Sequence, residues 1–128
     1  MFAFLTRNKE ILTHKKVDKK WGYELWYEKD KNANYCGKLL HINKGNSFSV
    51  HFHLKKTETF LILSGPVECL LWDTQYNTPN FYTLNTGDTM KILPGQPHSL
   101  FAKDNDVDII EFSTFHEDSD SYRCGVFK

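Results

Sequence analysis

The chain has 128 residues, of which 40% are hydrophobic and 15% aromatic, so it is long enough for one globular domain with a core of its own. Its sixteen basic and sixteen acidic residues cancel to a formal net charge of zero, which argues against a nucleic acid or an anionic membrane bound by bulk electrostatics. No apolar stretch approaches the ~20 residues that span a bilayer. Three widely spaced cysteines, Cys36, Cys69 and Cys124, form no C-x-x-C pair and indicate reduced thiols, so we expect a cytoplasmic protein.

The predicted elements change character at Trp21. Residues 1–20 are charged and weakly periodic, which predicts a short N-terminal arm or helix. From residue 21 to residue 128, short apolar runs alternate with turns rich in glycine and proline, and no linker divides them. This pattern predicts a single all-β domain, a barrel or a sandwich, with a polar loop at 74–80. The predicted strands are 23–28, 35–43, 47–53, 58–63, 67–72, 81–84, 89–93, 98–103 and 107–113.

Three histidines and a glutamate stand at positions that can converge in such a domain. His51 and His53 are two residues apart on a predicted strand and therefore face the same side. Glu58 opens the next strand after a four-residue turn, and an antiparallel hairpin there would return it to the histidine pair. His98 begins a later strand. Such a ligand set suits Fe, Mn, Ni, Co or Zn with positions left open for water or substrate, and a metal-free, hydrogen-bonded pocket is the alternative.

The spacing around these residues resembles the two motifs of the cupin superfamily. The first motif, G-x5-H-x-H-x4-E-x6-G, is matched by Gly45, His51, His53, Glu58 and Gly65. The second, G-D-x-x-x-I-P-P-G-x-P-H, is matched by Gly87-Asp88, Ile92, Pro94-Gly95, Pro97 and His98. Leu93 replaces the first proline of that motif, and Ala102 stands where an asparagine is often found. The resemblance implies a single-domain cupin over 21–128, a double-stranded β-helix or jelly-roll barrel, with one divalent transition metal on the four ligands.

A narrower resemblance is to the cupin domain of type II mannose-6-phosphate isomerase. The similar segments are Trp21-Gly22-Tyr23-Glu24, Ile110-Glu111-Phe112-Ser113 and the acidic tail from Glu117 to Arg123. The chain departs from that family at His51, where glutamine is usual, and at Lys56, where arginine is usual; these 128 residues do not include the linked nucleotidyltransferase domain. The resemblance implies a metal-dependent isomerase or epimerase of a sugar or sugar phosphate, and family behaviour implies a homodimer.

Two further residues are candidates for the chemistry. Glu111 lies on a strand among apolar neighbours and is a candidate base, with a salt-bridged or rim carboxylate as the alternative. Lys56 is a candidate for binding a phosphate or carboxylate, although an exposed turn lysine is the simpler description, as it is for Lys91.

Two other function classes stay open at this point. A ring of three histidines and one glutamate also supports an iron-dependent dioxygenase. A non-catalytic module that binds a small molecule, with a structural metal, is the third reading. The fold cannot choose among the three, because one barrel can host all of them.

Overall fold

The computed structural model describes residues 13–28, 32–114 and 117–124, and they form two antiparallel β-sheets. In chain order the strands are β1 (Lys15–Lys19), β2 (Gly22–Glu28), β3 (Cys36–Ile42), β4 (His51–His53), β5 (Glu58–Ser64), β6 (Val67–Asp73), β7 (Thr78–Leu84), β8 (Thr89–Ile92), β9 (His98–Phe101), β10 (Val107–Ser113) and β11 (Ser121–Arg123), with a 3-10 helix at Asp118–Asp120. One sheet has the order β1-β2-β3-β10-β5-β8 and the other β11-β4-β9-β6-β7. The all-β prediction is confirmed.

Residues 13–20 of the predicted N-terminal arm belong to the described part of the chain. Residues 13–20 contain no helix; they contribute β1, which pairs with β2 and forms the edge of the six-stranded sheet. Residues 1–12 lie outside the described part of the chain. No helix in the described part is long and apolar enough to cross a membrane.

The inner face of the six-stranded sheet changes from apolar to polar along its length. On β3 the inward residues run from Ile42 and Leu40 to Lys38 and Cys36, all of them buried. On β10, which pairs with β3, the inward side chains change in the same direction, and Glu111 lies opposite Lys38. The period-2 alternation of two adjacent strands therefore builds a barrel with an apolar end and a polar end.

The apolar end contains most of the core. Its buried residues come from both sheets and pack into one cluster, which is the normal source of stability for a domain of this size. They include Ile42, Ile62, Val67, Leu100, Val107 and Ile109. The polar end is left with the space and the charged groups from which a site can be built.

The predicted hairpin between β4 and β5 is wrong, because the two strands lie in different sheets. β4 pairs with β9 and β11, whereas β5 pairs with β8 and β10. The intervening turn carries the chain across the barrel. Its backbone N–H groups at Leu54, Lys55 and Lys56 donate to the carboxylate of Asp120, which bends the turn away from a local hairpin.

Two predicted strand boundaries differ from the structure by more than two residues. Residues 78–80, predicted as loop, belong to β7; Pro79 is tolerated there because β7 is an edge strand and needs no donor on its free side. Only residues 51–53 of the predicted strand 47–53 are regular. The carbonyl of Phe48 accepts from Ser99 Oγ at 2.6 Å, and that of Ser49 is bonded to His51 Nδ1 at 2.8 Å, so side chains occupy acceptors that a ladder would use.

Gly22 on β2 lies close to the backbone of β3, whereas Gly37 on β3 has open space beside it. A Cβ on Gly22 would lie 1.9 Å from the carbonyl oxygen of His41, and the φ of +153° adds strain. Gly22→Ala is therefore expected to lower the free energy of unfolding by about 2–4 kcal/mol, measured by urea titration. Gly37→Ala is the matched control, since nothing lies within 4 Å of its Cβ position. Equal stability of the two variants would contradict the close approach of β2 and β3.

Candidate metal centre

The four predicted ligands come together at the polar end of the barrel. One ligand atom from each of His51, His53, Glu58 and His98 lies within 4.8 Å of the others. The histidines belong to the five-stranded sheet, where His51 is in register with His98, and Glu58 reaches them from the opposite sheet. His53, Glu58 and His98 are buried and His51 is partly buried. The two sheets therefore close on the cluster from both sides.

The three imidazoles are oriented in the same way. Each Nδ1 is bonded to a backbone carbonyl: that of Ser49 for His51 at 2.8 Å, of Asp120 for His53 at 3.1 Å, and of Gln96 for His98 at 2.9 Å. A carbonyl only accepts, so Nδ1 carries a proton in each ring, and in a neutral ring the lone pair is then on Nε2. This is the outer hydrogen bonding that orients histidine ligands toward a metal.

Two atoms of the cluster are buried and lack a hydrogen-bond partner. They are Glu58 Oε1 and His98 Nε2. His53 Nε2 approaches Glu58 Oε1 to 2.8 Å, but the contact lacks hydrogen-bond alignment, and His98 Nε2 stands 3.9 Å from Glu58 Oε2. An unsatisfied buried polar atom costs about 1–3 kcal/mol. A cation among these atoms would remove that cost, so the residues fit a divalent metal.

The electrostatics of the cluster also favour a cation. Burial, followed by the neighbouring His98, lowers the pKa of His51 to about 4, and burial likewise lowers the pKa of His98. Burial alone would raise the pKa of Glu58, but the His53 contact and the Lys56 ammonium outweigh it and hold that pKa at about 2. At neutral pH the site therefore offers the neutral imidazoles of His51 and His98 and the ionised carboxylate of Glu58, the forms that bind metals.

Lys56 and Glu111 lie next to the four ligands, and both are buried. The description of Lys56 as an exposed turn lysine is wrong, because the bent turn places its side chain inside the barrel. Its Nζ is 2.8 Å from Glu111 Oε2 and 3.5 Å from Glu58 Oε1. The carboxylate of Glu111 is therefore salt-bridged, and it also accepts from Ser113 Oγ at 2.9 Å. Lys91 is exposed on β8.

Sequence reasoning missed Asp120. Its carboxylate accepts the N–H groups of the turn that carries Lys56, at 2.9–3.2 Å, and its own carbonyl orients His53. These backbone hydrogen bonds outweigh the effect of burial and lower the pKa of Asp120. The only sequence feature that pointed to this region was the resemblance of the acidic tail. Residues 121–123 of that tail form β11, which pairs with β4.

The cluster opens into a cavity of about 820 Å³. Beyond the four ligands and the Lys56–Glu111 pair, its lining includes Glu24, Trp26 and Lys38 on one side and Phe48 and Phe60 on another. Lys38 was also missed. The sequence feature that could have identified Lys38 is the alternation of β3, which places it between Cys36 and Leu40 on the inward face.

Comparison with known proteins identifies the architecture. No family model and no curated protein matches the sequence. Among solved structures, the chain is similar to the capsular polysaccharide assembling protein CapF of Staphylococcus aureus, with a TM-score of 0.75 and 16% identity over 87% of this chain and 34% of that chain. It is also similar to oxalate decarboxylase of Bacillus subtilis, with a TM-score of 0.75 and 16% identity over 86% of this chain and 30% of that one. The chain has the cupin fold.

The likeness extends no further than the fold at this identity. The oxalate decarboxylase of Lactobacillus farciminis, solved as a formate complex, gives the same TM-score of 0.75 and covers 86% of this chain. This chain spans about one third of the length of the solved structures that it matches. Their activities therefore do not transfer through the comparison.

The lowered pKa of His51 predicts that the metal-free protein becomes less stable as the pH falls. The folded state holds the pKa of His51 at about 4, against 6.5 when unfolded, so protonation between these values favours unfolding. We expect chelator-treated protein to lose about 3 kcal/mol of unfolding free energy through this group as the pH falls from 6.5 to 4. Urea titrations at both pH values test this, with His51→Gln as the comparison. The same loss in His51→Gln would show that His51 is not responsible.

Substitution of Asp120 is expected to lower metal affinity although Asp120 is not one of the four ligands. Asp120→Ala frees the turn at 54–56, which precedes Glu58, so we expect metal affinity to fall by about 10–100-fold. Asp120→Asn keeps an acceptor oxygen and should lose less. Competition with a chromophoric chelator measures both. Asp104→Asn, at an exposed turn, is the control; unchanged affinity in Asp120→Ala would show that the turn does not need this anchor.

Proposed function

We propose that this cupin binds one divalent transition metal through His51, His53, Glu58 and His98 and isomerises or epimerises a sugar or sugar phosphate. The observation that carries the reaction is the buried Lys56–Glu111 pair, which contacts Glu58 and lines the same cavity. A divalent ion on these ligands would supply Lewis-acid polarisation of the substrate's carbonyl and hydroxyl oxygens.

The residues of the pair have complementary protonation states. Burial raises the pKa of Glu111, but the Lys56 ammonium more than offsets this and keeps the carboxylate ionised. Burial opposes the charge of Lys56, and Glu111 and Glu58 outweigh that effect and raise its pKa. Glu111 can therefore accept a proton from one carbon and return it to the next, while Lys56 donates a hydrogen bond to the oxygen where negative charge develops.

The narrower likeness to type II mannose-6-phosphate isomerase supports the choice of reaction on the segments around Gly22, Glu111 and Asp120. The solved structures of this fold include a capsular polysaccharide assembling protein and an oxalate decarboxylase, so the fold itself does not select the substrate. A homodimer paired through edge strands is part of the proposal, and the strands at the sheet edges are β1, β8, β11 and β7.

The test is incubation of metal-loaded protein with a panel of aldoses and sugar phosphates in deuterated water, without oxygen. An isomerase should give the product with deuterium at the carbon that receives the proton, detected by NMR. Turnover that requires oxygen would indicate a dioxygenase instead. Thermal stabilisation by a sugar with no turnover under either condition would indicate a binding module.

A further inference from the structure

Lys38 is a buried cation at the polar end of the cavity with few direct partners. Its side chain is 3% exposed, and buried lysines are rare unless they are paired. The nearest carboxylate oxygen in the described residues, Glu24 Oε1, is 3.8 Å from Nζ, which is an ion pair but beyond hydrogen-bond distance. The ammonium also lies 4.3 Å from the centre of the Trp26 ring.

Trp26 and Glu24, the two neighbours of Lys38, are joined by a hydrogen bond to each other. Trp26 Nε1 donates to Glu24 Oε1 at 2.7 Å, so the oxygen nearest to Lys38 already has a donor. The Trp26 ring supports the ammonium through a cation–π contact. Lys38 therefore presents ammonium hydrogens that neither neighbour takes in a direct hydrogen bond.

Lys56 differs from Lys38 in this respect. Its Nζ is committed to Glu111 at 2.8 Å and to Glu58 at 3.5 Å. An anion from the substrate would have to displace one of these carboxylates. The contact of Lys38 with Glu24 is longer, at 3.8 Å, so an anion can bind Lys38 without breaking a hydrogen bond. Lys38 is therefore the better anchor for a negatively charged group.

The position of Lys38 suits one end of an elongated ligand. Lys38 is in register with Glu111 on β10, and β10 separates β3 from β5, where Glu58 lies. Two strand spacings place Lys38 roughly 10 Å from the strand that supplies Glu58. The cavity lining holds five basic and five acidic side chains, so with neutral histidines a divalent ion on the four ligands would leave it with a net charge of about +2.

We propose that Lys38, held against the Trp26 ring, is a second subsite that binds an oxyanion of the substrate, a phosphate or a carboxylate, in competition with Glu24, while the other end of the substrate reaches the metal ligands. The inference deepens the proposed function: it selects a sugar that carries an acidic group over a neutral sugar.

The test is calorimetric titration of chelator-treated protein with inorganic phosphate and, in a second arm, with acetate. Lys38→Met is expected to weaken binding by about 10-fold or more, because one charged contact is lost. Glu24→Gln is expected to tighten it, because the competing carboxylate is removed. Lys44→Met, at an exposed turn, should leave it unchanged. The tighter arm identifies phosphate or carboxylate as the preferred group.

The Glu24→Gln result separates a subsite from a structural ion pair. If the pair only stabilises the fold, Glu24→Gln will lower the melting temperature without tightening anion binding, and the proposal is overturned. It is equally overturned if neither wild type nor Glu24→Gln binds phosphate or acetate. Should Lys38→Met fail to fold, the Lys38→Met, Glu24→Gln double variant removes both charges and replaces it. Neither metal nor turnover enters this assay, so its failure is distinct from failure of the proposed reaction.

Discussion

Replacing Glu111 by glutamine is expected to lower kcat by about 10²–10⁴-fold while the metal stays bound. The amide keeps the shape and the contact with Ser113 but cannot accept a proton. Glu111 is 2.8 Å from Lys56 and is not one of the four clustered ligands, so the site should survive the change. Turnover and metal content measured on the same preparation test this.

The control for that variant is Glu68→Gln. Glu68 lies on β6, where its carboxylate accepts from Thr83 Oγ1 at 3.0–3.1 Å, away from the cavity. We expect its kcat to equal that of the wild type. If Glu111→Gln retained full turnover with its metal, Glu111 would be a structural salt-bridge partner and not the base.

Removing two ligands is expected to abolish the response of the protein to metal. In the wild type, a first-row divalent ion at a hundred times its Kd should add about 2.7 kcal/mol of stability and raise the melting temperature by about 10 °C. In the His51→Ala, His98→Ala double variant, the two remaining ligands should give little or no increase. Both histidines carry lowered pKa values through burial, so their loss also removes groups that destabilise the apo protein in acid.

The control for the double variant is His41→Ala. His41 lies on the outer side of β3, where Nδ1 contacts Asp108 Oδ1 at 2.6 Å and its ring stacks on Tyr23. This variant should keep the full metal response. A double variant that still gains the wild-type increase in melting temperature would exclude the four residues as the metal site.

The strands were predictable because apolar and polar residues alternate locally along the sequence. The predicted strand 107–113 coincides with β10, since its side chains alternate between core and outer face. The pairing of His51 with His53 follows from the same period of two. The motif spacing added Glu58 and His98, and the structure brings all four together. Local patterns and one resemblance were therefore sufficient for the ligand cluster.

The missed features depend on contacts between distant parts of the chain. Whether the turn after His53 closes a hairpin or crosses the barrel is decided by Asp120, more than sixty residues later. The burial of Lys56 follows from that crossing. Lys38 stands opposite Glu111 only because β3 pairs with β10. No local periodicity encodes such partners, although the inward position of Lys38 was readable from its strand.

The central claim is that the cluster of His51, His53, Glu58 and His98 binds a metal, and metal analysis of the purified protein by mass spectrometry tests it most directly. The account predicts about one equivalent of a first-row divalent ion per chain, either as purified or after incubation with Mn²⁺, Fe²⁺, Co²⁺, Ni²⁺ or Zn²⁺ and removal of the excess. A folded protein that retains no stoichiometric ion under any of these conditions would contradict it.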